Sequence, residues 1–346
     1  MPGEAGTGAG VAIEFERVVK RYRGQEVAAV DGFTMTVDAG ELVVFLGASG
    51  CGKTTTMKMV NRLIDPTAGR VLVGGHDVAT LRRHELCRGI GYVIQHSGLF
   101  PHMTVRQNVA MVPKLLRWPA ARIAARVEEM LHLVGLEAGQ YADRYPAELS
   151  GGQQQRVGVA RALAADPGVM LMDEPFGATD PVVRARLQEE FRQLQQALGK
   201  TVLLVTHDPV EALRMADRIA VLGPGCRIEQ FASPAELLRA PASETVAEFF
   251  GEAPGVTLLR TVRLSEVGLG PVPVVARGGS AVSERATLYE ALDRLLVSAE
   301  PGLAVVDDAG TAVGWVDIAV IGSHLAVGSQ RSAGSQRSAG DTAVAV

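Results

Sequence analysis

The sequence predicts an α/β fold with a smaller α+β unit behind it, and three observations carry that prediction. Short, continuously apolar runs recur at residues 42–46, 90–94, 169–172, 202–205 and 219–222, each close to Gly, Pro or Asp. Runs of this length read as strands of a parallel sheet covered on both faces. Helical patterns separate them. Residues 54–64 place Met57, Val60 and Ile64 on one stripe, and residues 182–198 are charged and Gln-rich with spaced leucines. Strands alternating with helices make an α/β domain. The third observation is a change of composition after Phe250-Gly251, where Pro254, Gly268, Gly270, Pro271 and Pro273 mark a linker or a loop-rich start to a second domain.

In chain order, residues 1–12 are Gly/Ala-rich and read as a loose start. The first domain is expected over 13–250. Within it, about 100–165 lacks strand runs and reads as an inserted helical subdomain. A second domain is expected over 256–326. Its compact part runs helix 288–297, strand 302–306, turn 307–310, strand 312–316 and helix 318–325. From 327 to 346 the chain reads as a flexible tail, because GSQRSA at 328–333 repeats at 334–339 and a Gly/Ser repeat buries nothing.

The totals narrow the function classes. The 346 residues have room for two or three domains, with 47% apolar and 21% charged residues in an ordinary globular balance. A net charge of −4 does not fit a nucleic-acid binder, which carries a basic excess on one face. Cys51, Cys87 and Cys226 are too scattered for a disulfide framework or a metal knuckle, which fits a reducing compartment. The start Met1-Pro2-Gly3-Glu4-Ala5-Gly6 is not a secretory signal, and no apolar run is long enough to span a bilayer. Work at a membrane would therefore go through partners.

The sharpest local signal is Gly47-Ala48-Ser49-Gly50-Cys51-Gly52-Lys53-Thr54, a G-x-x-x-x-G-K-[ST] string between an apolar strand and a helix. Its glycines let successive backbone N–H groups face phosphates, and the helix N-terminus adds the positive end of its dipole. In this P-loop, which continues into Thr55, Lys53 is expected on the β/γ-phosphates of ATP and the Thr54 hydroxyl on Mg²⁺. Cys51 occupies a permissive position where only its backbone need meet phosphate. The second signal is Asp173-Glu174 at the end of the run 169–172. A carboxylate there suits Mg²⁺, and Glu174 would face the water that attacks the γ-phosphate. A DE pair also ends many strands that bind nothing, so its weight comes from the P-loop upstream.

The third signal is Leu149-Ser150-Gly151-Gly152-Gln153-Gln154-Gln155-Arg156, about twenty residues before the carboxylate pair. It resembles the signature of ABC ATPases. Read locally, Ser150, Gly151 and Gly152 before Gln153 open a helix and make a second phosphate-accepting N-terminus. Two such helix starts with one P-loop are most economically used in a head-to-tail dimer, each ATP held by the P-loop of one copy and residues 150–153 of the other. The resemblance covers roughly 13–245 and implies further roles. Tyr22 falls where the family stacks an aromatic on adenine, and Gln95 where a glutamine meets metal and water. Asp180 falls where a residue meets the partner copy, although Thr179 departs from the usual leucine. His207 falls where a histidine contacts the γ-phosphate. The implied catalytic set is Glu174, His207, Lys53 and Gln95, and the implied metal set is Thr54, Gln95 and Asp173.

Longer strings narrow the resemblance. Residues 54–69 (TTTMKMVNRLIDPTAG), 90–105 (IGYVIQHSGLFPHMTV) and 112–116 (VPKLL) look like the glycine betaine/proline betaine importer ATPases. That family implies an ATP hydrolase at the cytoplasmic face of the membrane, working with transmembrane permease subunits and indirectly with a solute-binding protein. It would drive uptake of quaternary ammonium osmolytes such as glycine betaine, carnitine or choline. An importer ATPase for an amino acid or polyamine is the alternative, with a soluble non-transport ABC ATPase further off. Residues 287–292, 303–310 and 313–317 resemble one CBS module, used either to sense a regulator or to aid dimerisation.

Overall fold

The computed structural model describes residues 9–94, 98–177, 181–251, 254–272, 280–298 and 300–326. The chain divides into two compact units, Met1–Ser233 and Pro234–Val346. That division lies upstream of residue 250, where the composition changes, so two helices beyond Ser233 belong with the second unit.

In the first unit the strands are β1 (Ile13–Lys20), β2 (Val30–Val37), β3 (Leu42–Gly47), β4 (Ala68–Val73), β5 (His76–Asp77), β6 (Ile90–Val93), β7 (Val169–Asp173), β8 (Thr201–Thr206), β9 (Arg218–Leu222) and β10 (Ile228–Ala232). The five apolar runs of the sequence are β3, β6, β7, β8 and β9, and they lie in one six-stranded sheet ordered β10-β9-β3-β8-β7-β6. Those five pair in parallel and β10 joins the edge antiparallel. β3 and β8 are buried at every position, as central strands of a doubly covered sheet must be.

A second sheet, β2-β1-β4-β5, is antiparallel and was not foreshadowed by the apolar runs. β2 reads Val30-Asp31-Gly32-Phe33-Thr34-Met35-Thr36-Val37, and its apolar residues alternate from Phe33 onward with exposed polar ones. Phe15, Phe33 and Phe45, with ring centroids 5.1–6.4 Å apart, pack the two sheets against one another. Burial of such rings contributes about 1.5–3 kcal/mol each.

The helices of this unit are α1 (Lys53–Val60), α2 (Arg83–Arg88), α3 (Val105–Val109), α4 (Met111–Leu115), α5 (Ala120–Leu133), α6 (Ala138–Tyr141), α7 (Gly151–Leu163), α8 (Pro181–Leu198) and α9 (Pro209–Met215). α1 ends four residues before the expected stripe does. Met57 and Val60 are buried on it, while Ile64 lies beyond its C-cap Asn61 and packs half-buried on the core. Between 100 and 165 the described residues form helices and turns with no strand.

The second unit holds α10 (Pro234–Arg239), α11 (Glu244–Phe249), α12 (Pro254–Thr261), β11 (Ala281–Ser283), α13 (Leu288–Ser298), β12 (Leu303–Val306), β13 (Ala312–Val316) and α14 (Ile318–Ala326). β11, which the sequence did not announce, pairs parallel with β12, and β13 closes an antiparallel hairpin. The hairpin turn is held by Asp307, whose carboxylate accepts the N–H groups of Ala309 and Thr311. A side chain at Gly302 would meet the Trp315 ring at 2.4 Å, which is why that position carries none. The repeated GSQRSA segment lies outside the described residues. No helix among the described residues is long and apolar enough to cross a membrane.

Candidate functional site

In a parallel sheet the strand C-termini share one edge, and that edge is where side chains from neighbouring strands converge. β3 lies beside β8, β8 beside β7, and β7 beside β6. The segments that follow these strands carry the P-loop, His207, Glu174 and Gln95 respectively.

The P-loop leaves β3 at Gly47 and enters α1 at Lys53. Two of its glycines are required by close approach. A Cβ on Gly47 would stand 2.4 Å from the carbonyl oxygen of Leu222. Gly52, at φ 112°, would bring one 2.4 Å from that of Ala29. Lys53 is only 6% exposed, and its ammonium donates to the carbonyls of Gly47 (2.7 Å) and Ala48 (2.8 Å). A buried ammonium needs such acceptors, and here the loop itself supplies them. Thr54, one residue on, donates its hydroxyl to Asp173 Oδ1 at 2.9 Å, joining the P-loop to the end of β7.

Glu174 follows Asp173 with φ 45°, in the left-handed region that non-glycine residues rarely enter. Its N–H donates to the carbonyl of Val205 on β8. Its Oε1 lies 3.0 Å from His207 Nδ1, at the end of the neighbouring strand. A carboxylate only accepts, so this contact places a hydrogen on Nδ1. His207 is 64% exposed and Glu174 25%, so the pair faces outward. Behind them a cavity of about 120 Å³ is lined by Glu174, Arg184, Thr206, His207, Asp208 and Glu211. Burial raises the Glu211 carboxyl above its ordinary range, against hydrogen bonds from Thr206 and Gln188 that lower it.

Ser150 caps α7. Its hydroxyl accepts the N–H of Gln153, and the Gln153 side chain accepts the N–H of Ser150 in return. This capping box leaves Ser150 and Gly151 exposed at the helix start. The Gln153 amide also donates to the Tyr141 hydroxyl at 3.2 Å. Tyr22 is exposed, with the Lys20 ammonium 5.3 Å from its ring. Gln95 and Asp180 lie outside the described residues.

Two neighbours escaped the motif reading. Lys58 reaches within 3.7 Å of Asp173 Oδ2. It sits four residues after Thr54, on the same face of α1, so helical spacing could have found it. The Tyr92 hydroxyl on β6 is pushed up to about 12 by burial and, secondarily, by the Asp173 carboxylate. Strand pairing, which a sequence pattern does not display, brings those two together.

Residues 30–177 match the sequence profile of the family described as ABC transporter. The chain is 47% identical over 309 residues to the Bacillus subtilis glycine betaine/carnitine/choline transport ATP-binding protein OpuCA, covering 89% of this chain and 79% of that one. It is also 47% identical to the Brucella abortus Fe(3+) ions import ATP-binding protein FbpC, over 242 residues covering 70% of this chain and 67% of that one. Among solved structures, a dimeric post-hydrolysis state of the ATP-binding cassette MJ0796 bound to ADP and Pi superposes with a TM-score of 0.57 at 32% identity. The superposition covers 64% of this chain and 98% of that one.

Proposed function

The chain belongs to the family of ABC transporter ATP-binding proteins, and from that premise we propose that it powers uptake of quaternary ammonium osmolytes such as glycine betaine, carnitine or choline. It does so as an ATP hydrolase at the cytoplasmic face of the membrane, with transmembrane permease subunits as partners and a solute-binding protein upstream of them. Support for the solute comes from the reach of the similarity. Identity to OpuCA extends over 309 residues and so through much of the second unit, whereas the equally identical iron-import relative matches over 242, little more than the length of the first unit.

The observation that carries the hydrolase mechanism is the meeting of Lys53, Thr54, Asp173, Glu174 and His207 at one sheet edge. The P-loop N–H groups and Lys53 bind the ATP phosphates, Lys53 exchanging its loop carbonyls for phosphate oxygens. Glu174, fixed by its N–H bond to Val205 and by His207, orients the attacking water and accepts its proton. The His207 face turned away from Glu174 is free to meet the γ-phosphate. The Thr54 hydroxyl and Asp173 carboxylate are hard oxygen donors side by side, the ligand type Mg²⁺ takes, and the two residues fit that ion with Gln95 as a third ligand. Mg²⁺ in that place supplies charge neutralisation to the phosphoryl oxygens.

The exposed start of α7 gives a second phosphate-facing helix terminus, used on the ATP of a second copy in a head-to-tail dimer that Asp180 helps to join. The solved neighbour MJ0796 is itself dimeric. The second unit reads as a CBS-like regulatory module. Radiolabelled glycine betaine uptake tests the whole reading, in cells lacking the protein and complemented with wild type or Glu174→Gln. Wild type restores uptake and the variant does not. Uptake unaffected by loss of the protein, with redundant importers removed, would reject the solute and leave the ATPase.

A further inference from the structure

Cys51 and Cys226 are far apart in sequence, and the fold brings them together beneath the P-loop. The Cys226 N–H donates to the carbonyl of Cys51 at 2.7 Å. With ordinary bond lengths on either side, that contact holds their Cα atoms within about 6.6 Å, inside the span that disulfides bridge. Both side chains belong to the same buried cluster, at 7% and 0% exposure. A Cβ on Gly52, next to Cys51, would stand 3.1 Å from Cys226 Cβ, so the Cys226 side chain points up at the loop. Cys226 sits in the sharp turn after β9, where Gly225 (φ 69°) and Cys226 (φ 60°) are both left-handed. Its sulfur lies 3.1 Å from the Thr56 hydroxyl, and the Cys51 sulfur lies 3.9 Å from the Lys53 ammonium.

From this geometry we infer that Cys51 and Cys226 are an oxidisable dithiol, and that a disulfide between them closes the nucleotide site. The oxidant is a peroxide. The Cys51 sulfur attacks the peroxide O–O bond, giving a sulfenic acid and releasing hydroxide. The Cys226 sulfur then displaces the sulfenic oxygen as water, so two S–H bonds are lost and the peroxide is reduced by two electrons. The Lys53 ammonium puts a cation beside the sulfur that the oxidant meets first. Once formed, the bond fastens the P-loop between Gly50 and Lys53 to the turn after β9. The loop then no longer adjusts when Lys53 leaves the Gly47 and Ala48 carbonyls for phosphate.

The inference rests on the P-loop being the nucleotide site, and ATP turnover by the untreated, full-length protein establishes that beforehand. The purified protein is then exposed to hydrogen peroxide, and ATP turnover is followed alongside non-reducing peptide mass spectrometry. Wild type is expected to yield a cross-linked peptide pair containing Cys51 and Cys226. Turnover is expected to fall on the order of a hundredfold, the scale on which misplaced positioning groups act, and dithiothreitol to restore it. Cys226→Ser retains its starting turnover under the same oxidant, and Cys87→Ser behaves as wild type. Absence of the cross-linked pair in oxidised wild type overturns the inference without needing any variant. So does a cross-link that leaves turnover intact, or inactivation of Cys226→Ser at the wild-type rate.

Discussion

β3 and β8 of the first unit are buried at all six of their positions, while β12 of the second buries alternate residues and β13 only two of five. The first unit sets Lys53, Thr54, Asp173, Glu174 and His207 at the ends of strands that cannot shift without disturbing neighbours on both faces and both edges. The second makes a three-stranded sheet with helices and leaves Leu296, Val297 and Ile318 more than half exposed. The proposed chemistry therefore sits where packing tolerates least. The second unit nevertheless has a core of its own, with Leu288, Leu303, Val305 and Val316 fully buried, and its proposed part is regulation rather than catalysis.

The comparison breaks most visibly at Glu174. Glu174→Gln keeps the shape and the contact with His207 but removes the proposed base, so ATP turnover should drop by roughly 10²–10⁴ while nucleotide affinity holds. A steady-state ATPase assay beside a nucleotide-binding titration checks this, and an active variant would move the proton acceptor elsewhere. Thr54→Ala should come next. It removes the hydroxyl paired with Asp173 and should weaken ATP binding in Mg²⁺ more than in its absence, a difference that titrations with and without chelator would read.

Smaller effects sharpen the division between units. Gly302→Val drives a side chain into Trp315 and should destabilise the second unit by about 1–3 kcal/mol. Calorimetry should show an earlier second transition with ATP turnover unchanged; a fall in turnover would mean the two units unfold together. The smallest effect is at Glu211. Its carboxyl is raised by burial, so the folded state holds that proton to higher pH than the unfolded state, and stability falls as pH rises from about 4.5 through the raised value. Glu211→Gln removes the titration, so its melting temperature should gain on wild type as pH rises through that window. Parallel curves would show that Glu211 does not drive the dependence.

How far the sequence reached differs from element to element for physical reasons. The parallel strands were legible because burial on both faces demands unbroken apolar runs, and the P-loop because close backbone approach admits only glycine at Gly47 and Gly52. β1 was hidden by irregular pairing with both of its neighbours, around Arg17 at φ 45°, which spoils its alternation. β2 does alternate, and a search for continuous runs passes over it. β11 has three residues, too few for any period to show. At the site, Lys53, Thr54, Asp173 and Glu174 were named from local strings at a strand end or a helix start, whereas His207 came only from the resemblance to ABC ATPases. Cys226 could not be, because its place beneath Cys51 is set by the pairing of β9 with β3 and by no pattern around either residue.

The left-handed backbone of Glu174 has a consequence for how the protein ages under selection. A glutamate held at φ 45° costs on the order of 1–2 kcal/mol relative to a residue at ease there, and glycine or asparagine would be more at ease. Replacing it with either should make a sturdier protein that no longer turns over ATP. A laboratory evolution experiment rewarding heat resistance alone would therefore erode position 174 early, and a lineage that keeps glutamate there records that it was still being asked to work.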